Sequence, residues 1–408
     1  MRRQRGADQM SNRQIRTAGI AAAKALLRPS RRSDVPPFMV MDVMAAAARI
    51  EESGGRVVHM EVGQPAAPAP STAIAAAKTA LENGKIGYTE ALGIPSLRAR
   101  ISRHYAENYG AKVDPERIVV TTGSSAGFIL AFLAMFEPGN RIAIAEPGYP
   151  PYRHILTALG CEPVPVRISA ETRWALTVDL LMAAHQKKKL DGVLVASPAN
   201  PTGTMLDANV LAELVNACEQ SGIKFISDEI YHGLDYTFPA ETAAKLSVDS
   251  LIINSFSKYF CMTGWRIGWM VVPEPLVRPV ERLQQNLAIS VPTLSQIAAE
   301  AAFEGRAEME VVKRGYEENR RILIEGLPKG GLDKFLPADG AFYLYADVSR
   351  FTDDSFAFAK KMLEETRVAA TPGVDFDPVH GKEFIRFCYA GPQAEMHEAV
   401  ERIGKWLK

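Results

Sequence analysis

The sequence predicts an α/β fold: a mainly parallel seven-stranded sheet flanked by helices, accompanied by a smaller α+β domain. Three observations predict it. Between about residues 115 and 272, short runs of Val, Ile and Leu alternate with helical patterns, as strands buried on both faces and joined by crossover helices require. Five of those runs end in polar clusters, the place where open α/β sheets bind ligands. From about residue 330 to 408 the pattern changes to α+β.

Taken in order, Met39–Glu52 reads as a helix and Val57–Glu61 as a strand. The seven strands of the main sheet are expected at Arg117–Thr121, Arg141–Ala145, Pro163–Ile168, Gly192–Ser197, Lys224–Asp228, Leu251–Asn254 and Ile267–Val272. Helical patterns at Ser125–Phe136, Pro151–Leu159, Val178–His185 and Asp207–Ser221 fall between them. Pro275–Asn286 and one long stretch, Thr293–Gly326, follow as helix. The last part offers strands at Ala341–Ala346, Val368–Thr371 and Glu383–Tyr389, with helices at Ser355–Glu365 and Gln393–Leu407. The expected division is an arm over 1–35, a first part of the small domain over 36–65, a large cofactor-binding domain over 66–300 and the rest of the small domain over 301–408.

Composition narrows the function. The chain has 408 residues, of which 47% are hydrophobic and 23% charged, an ordinary globular make-up. Its 47 basic and 47 acidic side chains cancel, so no global field favours nucleic acid or an anionic membrane. Cys161, Cys218, Cys261 and Cys388 are scattered, with no CxxC or Cys/His cluster. A metal site is therefore not expected, and the thiols suit a reducing, cytoplasmic setting. No apolar run is as long as a membrane span. The first 33 residues carry nine Lys or Arg against one acid, Asp8. They read as a disordered or loosely docked arm, with Met10 as an alternative start. An arm reaching a neighbouring subunit and a targeting peptide are the other readings.

The chemistry-bearing residues stand at the strand ends. Lys258 lies in Ser255-Phe256-Ser257-Lys258, eight residues ahead of Arg266. An amine forms an imine with an aldehyde, while hydroxyls and a guanidinium suit a phosphate. Pyridoxal 5'-phosphate carries both groups. Gly123-Ser124-Ser125-Ala126 opens a helix whose N-terminus favours an anion, although a serine N-cap looks the same. Tyr149 follows Pro147-Gly148 and is able to stack on a planar ring or to fill the core. Asn200 lies in Asn200-Pro201-Thr202-Gly203, a turn whose amide can donate to a phenolate oxygen. Asp228 ends an apolar strand, where a buried charge needs a partner such as a pyridinium N–H. Capping of a following helix is the plainer reading. Tyr231, three residues on, can share the phenolate oxygen. Arg386, inside Phe384-Ile385-Arg386-Phe387-Cys388, either pairs internally or grips a carboxylate through its fork.

Together these residues resemble the class I and II aminotransferases, fold-type I enzymes of the aspartate and aromatic aminotransferase kind. The resemblance runs from about residue 36 to the C-terminus. Its motifs stand in the family's order, with Gly63 in Val62-Gly63-Gln64-Pro65 and Tyr88 in Gly87-Tyr88-Thr89-Glu90 preceding those above. The resemblance implies pyridoxal 5'-phosphate as cofactor, bonded through Lys258. It implies that Asp228 pairs with the pyridine nitrogen, Asn200 and Tyr231 contact the ring hydroxyl, and Tyr149 stacks on the ring. Ser124, Ser125, Ala126, Ser255 and Arg266 would hold the phosphate. Tyr88 would reach the phosphate in a neighbouring subunit, so a homodimer with shared sites is implied. Gly63, Asn200 and Arg386 would form the site for the substrate α-carboxylate. Lys258, Asp228 and Tyr231 would carry catalysis: Asp228 keeps the ring nitrogen protonated, and Lys258 moves the proton from Cα.

The implied reaction is exchange of an amino group between an L-amino acid and a 2-oxo acid, with 2-oxoglutarate the expected acceptor, in a ping-pong cycle. The segment Gln285–Pro292 lacks the arginine that the acidic-substrate branch often supplies for a side-chain carboxylate; Arg28, Arg31 or Arg32 would be the substitutes. Two other readings use the same residues: a C–S β-lyase releasing ammonia and pyruvate, and a regulator that senses the cofactor. The second needs a DNA-binding module, for which the first 35 residues are too short.

Overall fold

A computed structural model describes residues 29–84 and 86–408. Most of the basic arm, residues 1–28, lies outside the described residues. Pro37–Lys408 forms a compact unit of its own.

The main sheet has seven strands, at the positions the sequence predicts: β2 (Ile118–Thr121), β3 (Arg141–Glu146), β4 (Glu162–Arg167), β5 (Gly192–Ala196), β6 (Lys224–Asp228), β7 (Leu251–Ser255) and β8 (Gly268–Val271), with β1 (Val58–His59) lying apart. Its spatial order is β2-β8-β7-β6-β5-β3-β4. Only β8 runs against its neighbours, β2 and β7. That reversal matters for the site. It brings the N-terminal end of β8, and with it Arg266, to the edge where the other strands have their C-terminal ends.

Side chains alternate between two buried faces, as strand geometry dictates. Ile142, Leu194, Ile226 and Ile253 pack with Phe128, Phe132 and Leu156 on one face. Ala143, Val193, Phe225 and Ile252 pack with Leu97, Leu211 and Leu214 on the other. The first face is covered by α4 (Gly123–Met135) and α5 (Pro150–Ala158). The second is covered by α3 (Pro95–Tyr109) and α7 (Ala208–Ser221), with α6 (Val178–Lys187) beside them. Phe132 is 1% exposed, and truncating such a ring to alanine costs about 3–5 kcal/mol.

The chain enters this layer through α1 (Met39–Glu52) and α2 (Ser71–Asn83). It leaves through α8 (Glu274–Leu287), α9 (Thr293–Ala302) and α10 (Arg306–Gly326). The long helical stretch expected over 293–326 is thus two helices, separated by a 3-10 turn at Phe303–Gly305. A three-stranded antiparallel sheet follows, built from β9 (Tyr343–Asp347), β11 (Thr371–Pro372) and β12 (Phe384–Cys388). It is joined by α11 (Ser355–Thr366) and α12 (Gln393–Trp406). The single strand expected at 368–371 is divided. β10 (Val368–Ala369) pairs in parallel with β1, whereas Thr371 pairs with Arg386 of β12. The chain changes sheets at Ala370, a switch that a continuous apolar run does not reveal.

Candidate active site

Strand register sets the first layer of the site. Asp228 lies beside Ala196 and Ile253, and Gly268 lies beside both Ser255 and Thr121. The polar clusters that follow those positions converge on one cavity of about 180 Å3. Gly63, Ser124, Ser125, Tyr149, Asn200, Tyr231, Lys258, Arg266 and Arg386 line it.

Lys258 leaves β7 after a two-residue turn. Its Nζ donates to the carbonyl oxygen of Gly63 at 2.6 Å. Burial lowers its pKa to about 8, Cys388 and Asp228 acting against the shift and Arg386 and Arg266 with it. Asp228 is 2% exposed. Its Oδ1 accepts from the amide of Ile230 at 3.1 Å, and its Oδ2 from the Tyr152 hydroxyl. Burial nevertheless pushes its carboxyl up to about 6. Among the described residues no cation forms a salt bridge with Asp228, so the pocket holds a buried acceptor in need of a positively charged donor.

At one end of the cavity, α4 opens at Gly123. This residue has φ +72°, and a Cβ on it would lie 2.4 Å from Arg266 Nη2. The missing side chain therefore lets the guanidinium reach the helix N-terminus, where free amides already favour an anion. Arg266 Nη1 donates to the carbonyl of Thr263 at 3.0 Å, and among the described residues no carboxylate pairs with it. Ser124, Ser125, Ser257 and Thr263 supply hydroxyls around the same end.

At the other end stands Arg386, 2% exposed. Nη1 donates to Asn200 Oδ1 at 3.0 Å, and Nη2 to Thr371 Oγ1 at 3.1 Å and to the carbonyl of Glu61. The rings of Tyr343 and Phe376 lie 4.4 and 4.8 Å from its Cζ. Its buried Nε has no partner among the described residues. Phe38, Val40, Met41 and Val62 give the cavity an apolar wall, and the start of α1 is fixed by Asp375 Oδ1, which accepts from the Met39 amide at 3.3 Å.

Four expected residues stand elsewhere. Asp228 lies behind the lining. Ser255 is one layer back: its Oγ donates to the Ile267 carbonyl at 3.1 Å and accepts from the Ser257 amide at 3.0 Å, so Ser257 presents the hydroxyl. Ala126 is not among the lining residues. Tyr88 is 84% exposed on this chain and lies outside the cavity. The sequence reading did not single out Tyr152, Tyr343, Thr263 or the wall at Phe38–Met41. Tyr152 carried a signal, because three residues after Tyr149 a helix start presents the same face. Tyr343 carried none, since its place depends on register between distant strands.

Among the described residues, no group of three or more His, Cys, Asp or Glu is placed to hold a metal ion, and no helix is long and apolar enough to cross a membrane. Residues 56–403 match the family model for class I and II aminotransferases. A valine–pyruvate aminotransferase of Mycobacterium tuberculosis is 48% identical over 384 residues, covering 93% of this chain and 98% of its own. The crystal structure of an aminotransferase from that organism superposes with a TM-score of 0.91 at 49% identity, over 93% of this chain and 99% of the other. The aspartate aminotransferase of Thermus thermophilus, solved with maleate, gives a TM-score of 0.88 at 29% identity, over 93% and 99%. The chain is an aminotransferase and belongs to the class I and II family, whose members use pyridoxal 5'-phosphate.

Proposed function

We propose that this aminotransferase moves the amino group of an L-amino acid with an aliphatic side chain to a 2-oxo acid, with pyruvate preferred, in a ping-pong cycle. The observation that carries the reading is Arg386, a buried guanidinium that lines the same cavity as the apolar wall and forms no salt bridge among the described residues. A carboxylate satisfies such a fork through paired charge-assisted hydrogen bonds. Among the described lining residues the cations are Lys258, Arg266 and Arg386. With Lys258 and Arg266 assigned to the cofactor, none of these described lining cations of this chain is left for a second carboxylate. This favours pyruvate over 2-oxoglutarate and an aliphatic donor over aspartate. The valine–pyruvate relative at 48% identity supports the same choice.

The residues present fit pyridoxal 5'-phosphate. Asp228 is buried with no salt-bridge partner among the described residues, Arg266 meets a helix N-terminus that Gly123 leaves open, and Lys258 offers an amine of lowered pKa. When bound, the cofactor supplies an electron sink for the charge that develops at the substrate Cα. Asp228 would keep a proton on the ring nitrogen, and Tyr149, Asn200 and Tyr231 would hold the ring and its hydroxyl. The N-terminus of α4 at Ser124 and Ser125 would hold the phosphate with Arg266, and Ser255 supports that end through Ser257. Gly63, Asn200 and Arg386 seat the α-carboxylate, which aims the Cα–H bond at Lys258. The Lys258 amine, its pKa lowered to about 8 by burial, takes and returns that proton in its neutral form.

A homodimer with shared sites is part of the proposal. Tyr88, Ile86, Leu287 and Ile289 all expose apolar surface, and the Thr293 hydroxyl ties the segments together by donating to the Gly87 carbonyl. A patch of this kind suits a second copy of the chain. Four free, buried cysteines support a cytoplasmic setting.

A panel of amino donors against pyruvate and against 2-oxoglutarate, followed by cofactor absorbance and by product, tests the reading. Highest kcat/KM for an aliphatic donor with pyruvate is expected. Preference for aspartate with 2-oxoglutarate would overturn it.

A further inference from the structure

We propose that Tyr343 is a positioning residue with two separable jobs: its ring face supports Arg386, and its hydroxyl orients the Tyr231 phenol toward the cofactor ring. Three contacts carry the proposal. The Arg386 guanidinium lies 4.4 Å from the Tyr343 ring centre, a cation–π placement that holds the fork without using its donors. The Tyr343 and Tyr231 hydroxyls are 2.7 Å apart, both rings buried. The Tyr343 hydroxyl also fills the space a side chain on Gly63 would occupy, 1.9 Å from a Cβ built there. Glycine at 63 is thus what admits the hydroxyl, and the carbonyl of that same glycine accepts from Lys258.

Either hydroxyl can donate to the other. Once Tyr231 has an acceptor of its own beyond it, the chain has one satisfactory direction. Tyr343 donates to Tyr231, and Tyr231 donates outward. Hydrogen bonds in series polarise one another, so the outward bond is stronger than a lone phenol would make. An acceptor oxygen at that point is stabilised in its ionised form.

The inference rests on the assignment of Tyr231 to the cofactor's ring hydroxyl, and Tyr231→Phe tests that assignment separately. The primary readout is the pH at which the absorbance of the bound cofactor changes in the substrate-free holoenzyme. Tyr343→Phe keeps the ring and removes the hydroxyl. It is expected to raise that midpoint by about half to one pH unit, to lower kcat a few-fold, and to leave KM for the amino acid within about twofold. Tyr343→Leu removes the ring as well and is expected to raise KM about tenfold. A midpoint in Tyr343→Phe equal to that of the native holoenzyme, while Tyr231→Phe shifts it, would overturn the role of the hydroxyl. No shift in Tyr231→Phe would instead overturn the site assignment. A rise in KM in Tyr343→Phe as large as in Tyr343→Leu would overturn the separate support of Arg386 by the ring. Cofactor content and thermal midpoint of each variant confirm that folded holoenzymes are compared, and a Tyr343→Leu protein that loses the cofactor is replaced by Tyr343→Met, which also lacks the ring and is expected to raise KM in the same way.

Discussion

The Nζ of Lys258 donates to the carbonyl of Gly63 at 2.6 Å, so a residue from the chain's first hundred holds the amine at the end of β7. Burial is the main reason that this amine has its pKa lowered to about 8. Only the neutral amine attacks an aldehyde. The rate at which cofactor-free protein captures pyridoxal 5'-phosphate should therefore rise with pH through about 8 and level off above it. Stopped-flow absorbance between pH 6 and 10 measures this. A rate still climbing steadily at pH 10 would mean an amine of ordinary basicity.

Tyr152 donates to Asp228 Oδ2, and both residues are buried. A hydrogen bond to an ionised, buried carboxylate contributes about 1.5–3 kcal/mol. Because Asp228 titrates near 6 in the folded protein, the bond is charge-assisted only above that value. Tyr152→Phe should destabilise the cofactor-free protein by about that amount at pH 8 and by clearly less at pH 5. Denaturant midpoints at the two pH values decide it, and an equal loss at both would count against an ionised Asp228.

Glu229 is 1% exposed. Its carboxylate accepts from Thr242 Oγ1 at 2.9 Å, from the Ala243 amide at 2.9 Å and from Ser227 Oγ at 3.0 Å. These donors do not offset burial, which pushes its pKa up to about 8. His232, 3.6 Å away, offers no charge, because burial drives its imidazole down to about 3. An unfolded glutamate titrates near 4.5. Between 4.5 and 8 the folded chain therefore holds the extra proton, and stability falls as pH rises. Glu229→Gln removes that proton exchange, so its stability relative to the native protein should improve steadily from pH 4.5 to 8. Thermal midpoints of the cofactor-free proteins across that range test the sign.

The seven strands were legible because each is a short apolar run bounded by turns and helices. The five strand-end clusters located the cavity for the same reason: in a parallel sheet those ends share one edge. Arg266 belonged to that edge only because β8 runs backwards, and local pattern does not encode strand direction. The division of 368–371 between two sheets depends on pairing with Val58, far away in sequence, and with Arg386 on a different strand. Ser255 and Ser257 differ in role through the hydrogen bonds that turn the Ser255 hydroxyl inward, to the Ile267 carbonyl and to Ser257. The sequence marks Met39–Glu52 as a helix but does not mark Phe38, Val40 and Met41 as a wall of the cavity, since they join Lys258 there through tertiary packing alone.

Arg386 reaches Asn200, Thr371 and the Glu61 carbonyl with its two terminal nitrogens, and among the described residues its Nε has no partner. A lysine at this position keeps the charge but not the planar fork, and its strongly hydrated ammonium is costlier to bury. Loss of one charge-assisted bond to the substrate carboxylate is worth about 1.5–3 kcal/mol, or roughly 10- to 100-fold in apparent affinity. Arg386→Lys should raise KM by that factor for the amino acid and for the 2-oxo acid alike, because both carry the same α-carboxylate. The absorbance spectrum of the bound cofactor should stay close to that of the native enzyme, since Arg386 faces the substrate end. Steady-state kinetics with both substrates measures the effect. A KM that rises for one substrate class only would place the carboxylate site elsewhere.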